Sequence, residues 1–310
     1  MRRADAVTGG RRPEGADGPG VTLSSGLLEA TFLPGLGMLG TSLRHRGDEL
    51  LALPGGLEGY RAGDVTGLPL LAPWANRLGT RRYRAAGVAV DLRGVALHTE
   101  EHGLPIHGTM TAQRGWLVAV EDGELTARFE FGERPDLLAS FPFPHELRLR
   151  VAVEAATLTV DTTLTPTTSG PVPVAFGYHP YFRLPGARRH DVRLRLPARR
   201  HLALDDRQLP TGAGRAEAAE DGPIGPRTFD DLYELDNDRE LALTGGGRRL
   251  VLRLDDGNRY AQVFAPGGAD FVCLEPMTAP VNALIDGGCP VVAPGGSYTA
   301  RFTILVEDMS

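Results

Sequence analysis

The sequence predicts an all-β protein built as a large antiparallel β-sandwich, and three observations carry that expectation. Apolar and polar residues alternate with a period of two, Gly and Pro break the alternation at short intervals, and no window of twelve residues carries a helical stripe. Leu147, Leu149, Val151 and Val153 alternate with Arg148, Arg150 and Ala152, and Leu158, Val160, Thr162 and Leu164 follow the same rule. Such a pattern presents one apolar face to a core and one polar face to water. Further strand-like runs are Leu27–Leu33, Val88–Leu92, Trp116–Val120, Leu125–Phe131, Val172–Tyr178, Leu194–Leu196, Leu250–Leu254, Tyr260–Phe264 and Tyr298–Val306.

The turns between them are written in residues that tolerate tight backbone. Asp122-Gly123, Gly245-Gly246-Gly247, Asp256-Gly257-Asn258, Pro266-Gly267-Gly268 and Pro294-Gly295-Gly296 separate successive runs, drawing on 40 Gly and 24 Pro. Helices are expected only as single turns, around Pro135–Ala139 and Val281–Ile285. Few βαβ crossovers are then possible, so the sheets are expected to be mainly antiparallel. The polar, Gly-rich segment Thr211–Gly225 reads as a long surface loop. Met1–Gly20 is rich in Arg, Gly, Asp and Pro and has no apolar h-region, so it reads as a disordered leader, with residues 21–310 forming one sandwich domain.

Composition removes several function classes. All 33 basic residues are arginine, which excludes Schiff-base chemistry, lysine-anchored pyridoxal phosphate and a P-loop. A net charge of −6 speaks against a nucleic-acid partner. No apolar stretch approaches the ~20 residues of a membrane span, so no membrane partner is expected. Only Cys273 and Cys289 occur, which gives no disulfide framework. A cytoplasmic protein, monomeric or homodimeric, is the resulting expectation.

Polar clusters beside Gly or Pro interrupt the alternation: Ala72-Pro73-Trp74-Ala75-Asn76-Arg77, Leu104-Pro105-Ile106-His107-Gly108, Gly177-Tyr178-His179-Pro180-Tyr181-Phe182, Thr228-Phe229-Asp230-Asp231-Leu232-Tyr233 and Leu274-Glu275-Pro276-Met277-Thr278. Together with Gly79, Tyr83 and the strand entry Phe143-Pro144-His145-Glu146-Leu147, they occur in an order that resembles the aldose 1-epimerase (galactose mutarotase) family, over roughly Leu23 to Val306.

The resemblance implies a galactose mutarotase-like supersandwich and the exchange of α and β anomers of an aldose. That reaction needs a general base at the anomeric hydroxyl and a general acid at the ring oxygen, with neither metal nor redox cofactor. Carried onto this chain, it implies Glu275 as base and His179 as acid, Arg77 and His107 as donors to sugar oxygens, Asn76 beside them, and Asp230 as acceptor for sugar hydroxyls. Tyr233, three residues beyond Asp230, favours that residue, although the doubled acid leaves Asp231 open. Trp74, Tyr181 or Phe182 would offer a flat apolar wall to a monosaccharide. From unperturbed values near 4.3 for Glu and 6.5 for His, an ionised Glu275 facing a protonated His179 is expected. One departure is the turn Leu164–Gly170, which lacks the Asn common in the family.

Competing readings exist. A hexose-6-phosphate 1-epimerase would need arginines for the phosphate, such as Arg81-Arg82 or Arg188-Arg189. A non-catalytic sugar-binding or sugar-sensing protein would not require both Glu275 and His179. His98-Thr99-Glu100-Glu101-His102 fits an inverted zinc-peptidase pattern, but Gly103-Leu104-Pro105 leaves no room for the helix that motif needs. Asp255-Asp256-Gly257-Asn258 reads as a hairpin turn.

Overall fold

A computed structural model describes residues 18–309, so the expected leader falls almost entirely outside the described residues. Two large sheets dominate, one of nine strands and one of eight, and every named strand pairing is antiparallel. The nine-stranded sheet is centred on the long strands His145–Glu154, Thr157–Pro166 and Tyr298–Asp308. The alternation of Leu147, Leu149 and Val151 is what forms it: all three are buried, with Arg148 and Arg150 exposed between them.

The eight-stranded sheet carries the polar clusters. Its central strands are Phe229–Leu235, Tyr260–Ala265 and Val272–Met277, flanked by the two-residue strands Gly177–Tyr178, Tyr181–Phe182 and Leu70–Leu71. The two sheets meet through side chains of both. Tyr178 packs its ring 4.9 Å from that of Phe302, and its hydroxyl lies 2.6 Å from Thr162 Oγ1. A smaller four-stranded sheet, beginning at Val21–Ser24, packs its apolar residues into the same core.

Three local expectations are corrected. Thr211–Gly225 is not a loop: it holds the strands Pro210–Glu217 and Glu220–Pro223, which edge the eight-stranded and nine-stranded sheets respectively. Edge strands exposed on both faces carry no alternation, so the sequence gives no periodic signal there. Arg199 ties the two edges together, its guanidinium 2.7 Å from Glu217 and 2.8 Å from Glu220 and stacked 4.7 Å over Tyr233. Val172–Tyr178 is broken into Val172–Pro173 and Gly177–Tyr178, which pair in different sheets. A seven-residue helix, Gly56–Ala62, appears where none is expected, and buries only Tyr60. The single-turn helices Pro135–Leu138 and Ala283–Asp286 lie where the sequence places them. Among the described residues, no helix is long and apolar enough to cross a membrane.

Candidate active site

Strand register brings His179 to Glu275. Gly177 pairs with Met277 and Tyr181 with Cys273, so the same register sets His179 opposite Glu275. Pro180 supplies no N–H, and the ladder is interrupted there while its alignment continues on both sides. The result is a contact of 3.2 Å between His179 Nε2 and Glu275 Oε1, with both side chains buried. Gly177 is required for this approach, because a Cβ there would lie 2.8 Å from Pro276 O and 3.1 Å from Ala75 Cβ.

The same sheet adds two polar neighbours. Gln262 is the cross-strand partner of both Glu275 and Leu232, so Asp230, two residues from Leu232, projects from the same face as Glu275. Gln262 Nε2 donates to Asp230 Oδ1 at 2.6 Å. Asp231 faces the opposite side, where it lies 3.2 Å from His201 Nε2. Of the two adjacent aspartates, Asp230 is therefore the one on the Glu275 side.

Two loops close over this face. Arg77 forms a bridge with Ile106, Ala72 with Gly108, and Asn76 and His107 both take left-handed backbone with φ near +60°. Gly108, at φ +69°, has to be glycine, since a Cβ would fall 2.1 Å from Ala72 O. Asn76 N–H donates to His107 Nδ1 at 3.2 Å, and His107 N–H returns a bond to Asn76 O at 3.0 Å. Because Nδ1 is the acceptor, the neutral ring carries its proton on Nε2 and offers a donor there. The His107 ring stands edge-on to that of His179, 5.5 Å away.

Arg77 is held from three sides. Its Nη1 and backbone N–H donate to Asn76 Oδ1 at 3.1 and 3.0 Å, its Nη2 lies 3.9 Å from Asp230 Oδ2, and its Nε lies 3.6 Å from Glu100 Oε2. Asn76 thus commits its carbonyl oxygen to Arg77. Tyr181 stacks on His179 with ring centres 4.6 Å apart and meets Phe271 edge-on at 4.9 Å. Trp74 and Phe182 belong to the buried core, with Trp74 only 1% exposed. Of the aromatics expected to line the site, Tyr181 is the one in ring contact with His179, and Phe264 meets the same ring edge-on at 6.0 Å.

Burial sets the electrostatics and corrects the expected ion pair. It pushes His179 down to about 3 and Glu275 well above the usual carboxylate range, with Asp230 adding to the rise and Arg77 opposing it. Burial thus favours the neutral form of each group. The proton count is unchanged by this: imidazole with carboxylic acid holds the same single proton as imidazolium with carboxylate, and the two arrangements differ by transfer along the 3.2 Å contact. Burial, with the Arg77 charge adding to it, also holds His107 well below 6.5. Asp230 is raised by burial against the pull of Arg77.

Gln262 and Glu100 are not among the sugar-site residues expected from the sequence. Gln262 is a lone amide in an otherwise apolar strand, a detectable signal, whereas Glu100 sits in the stretch weighed for zinc. Residues 98–102 form no helix there, although ligand atoms of Glu100, Glu101 and His102 lie within 4.8 Å of one another. Three of the four arginines considered for phosphate are engaged elsewhere. Arg188 pairs with Asp191, Arg189 donates to the carbonyls of Arg227 and Ala265, and Arg82 pairs with Asp91.

Comparison with known proteins accords with this architecture. The aldose 1-epimerase family profile matches residues 21–305. Comparison with curated proteins gives no match. Among solved structures, a galactose mutarotase-like protein from Clostridium acetobutylicum superposes with a TM-score of 0.78 at 19% identity, covering 93% of this chain and 95% of its own. A protein of Synechocystis gives 0.77 at 20% identity over 99% and 100% of the two chains. Galactose 1-epimerase from Lactobacillus acidophilus gives 0.75 at 15% identity over 94% and 95%. At these identities the structural likeness concerns the fold, and the family follows from the match across nearly the whole sequence: the chain belongs to the aldose 1-epimerase family.

Proposed function

We propose that this protein is an aldose 1-epimerase that interconverts the α and β anomers of a free aldose by acid–base ring opening and reclosure. The observation that carries the reading is the buried His179–Glu275 contact of 3.2 Å, with Arg77, His107 and Asp230 gathered around it.

In this reading Glu275 removes the proton of the anomeric hydroxyl as His179 delivers one to the ring oxygen. The bond from C1 to the ring oxygen breaks, a C1 carbonyl forms, and rotation about C1–C2 exposes its other face. Closure reverses both transfers. Opening turns imidazolium with carboxylate into imidazole with carboxylic acid, so the pair retains one proton throughout and needs no external donor. The neutral arrangement favoured by burial is therefore the one reached on ring opening, and proton transfer from Glu275 to His179 along the contact forms the reactive ion pair. Proton transfer by positioned groups supplies roughly 10²–10⁴-fold in rate. His107 Nε2–H and the Arg77 guanidinium donate to sugar oxygens, Asp230 accepts from hydroxyls, and Tyr181 packs beside the acid.

A free sugar suits the site better than a 6-phosphate, because Arg77 is already flanked by Asp230 and Glu100. Polarimetry of fresh α-D-glucose, α-D-galactose and their 6-phosphates, with and without protein, tests the reading. Acceleration with a free aldose is expected. Acceleration only with a phosphate would reassign the substrate, and none with any sugar, despite saturable sugar binding, would favour a binding protein.

A further inference from the structure

Glu100 is placed by its own loop before it meets Arg77. The chain from His98 to Ile106 turns back on itself through the Thr99–Pro105 bridge and the bond from Ile106 N–H to His98 O. Glu100 caps the turn with one oxygen, Oε1 accepting from the backbone N–H groups of His102 at 3.0 Å and Leu104 at 2.9 Å. Burial works to raise this carboxyl, but the two backbone donors and Arg77 hold it below the usual range. Its other oxygen, Oε2, is buried and faces the buried Nε of Arg77 at 3.6 Å. Neither atom has a hydrogen-bond partner among the described residues, so each is the counter-charge the other has there. The returning arm of the same turn bonds to the Arg77 segment, Leu78 N–H donating to Pro105 O, and then delivers His107.

From this geometry we infer that Glu100 is a positioning residue for Arg77. It fixes the Nε edge of the guanidinium and so leaves the Nη groups, already steered by Asn76 and Asp230, turned towards substrate. The inference rests on the epimerase reading for what Arg77 does, but the Glu100–Arg77 coupling has a readout of its own.

The test is a double-mutant cycle read in kcat/KM, paired with the Arg77 Nε–H signal in a proton–nitrogen spectrum of the full chain. Glu100→Gln keeps an oxygen to cap the turn and removes the charge, and thermal unfolding confirms the fold. Glu100→Gln should lower kcat/KM about tenfold, a coupling of ordinary size for groups in contact. In an Arg77→Ala background the same change should have almost no further effect. The Arg77 Nε–H signal, assigned by its loss in Arg77→Lys, should shift in Glu100→Gln. A wild-type rate in Glu100→Gln, or a loss that persists undiminished without Arg77, overturns the inference. A silent wild-type protein would sink the epimerase reading instead; the Nε–H shift then decides whether Glu100 holds Arg77, and an unmoved signal overturns that too.

Discussion

His179 and Glu275 are distant in sequence and directly opposed in space: the register that pairs Gly177 with Met277 and Tyr181 with Cys273 brings Nε2 within 3.2 Å of Oε1. Two ionisable groups buried together in one sheet carry a desolvation cost that only a shared proton relieves. Such a pair is a poor way to stabilise a fold and a good way to move a proton.

The pH dependence follows from that shared proton. In the proposed mechanism, activity requires one proton on the pair. Lowering the pH through the depressed His179 value, about 3, adds a second proton and abolishes the base. Raising it through the elevated Glu275 value removes the last proton and abolishes the acid. The profile of kcat/KM should therefore pass through pH 6.5 without an acid limb, and a limb centred near 6.5 would show an imidazole titrating as it does in water.

Adjacent aspartates should behave differently. Asp230→Asn removes an acceptor on the Glu275 face and should lower kcat/KM by about tenfold or more, mainly through KM. Asp231→Asn, on the far face beside His201, should leave kcat/KM within about twofold and act on thermal stability. Steady-state kinetics and thermal unfolding of both variants check this, and equal losses of activity would contradict the facing.

Gln262 couples Asp230 to the row that holds Glu275. Gln262→Leu would leave a partly exposed carboxylate without its 2.6 Å donor, a loss of about 1 kcal/mol in stability. Chemical denaturation measures that cost, and sugar affinity should fall with it.

The loop that carries His107 depends on one glycine. Gly108→Ala would set a Cβ against Ala72 O at a positive φ, so it should destabilise the protein by about 2 kcal/mol or more and depress activity beyond that. A thermal midpoint equal to wild type would contradict the required close approach.

What the sequence discloses divides along physical lines. Strands with one face in the core, such as His145–Glu154, are legible because burial imposes alternation on their residues. Edge strands such as Pro210–Glu217 are not, because solvent on both faces imposes nothing. The segments carrying Arg77, His107, His179, Asp230 and Glu275 stand out as polar interruptions next to Gly or Pro, but their convergence is a matter of register between distant strands, which no local pattern encodes. The protonation of the pair is equally hidden, since unperturbed values describe solvated groups and both of these are buried. Glu100 is read in the sequence only within the zinc pattern, because its approach to Arg77 depends on the Thr99–Pro105 turn, which no local pattern encodes.

The most direct measurement is the polarimetric rate of anomer exchange by wild type, Glu275→Gln and His179→Asn on the same free aldose, with each variant shown to be folded. Wild type should accelerate the exchange, and each variant should lose about 10²-fold or more in kcat. A folded variant of either residue that keeps a near wild-type rate would contradict the assignment of proton transfer to this pair.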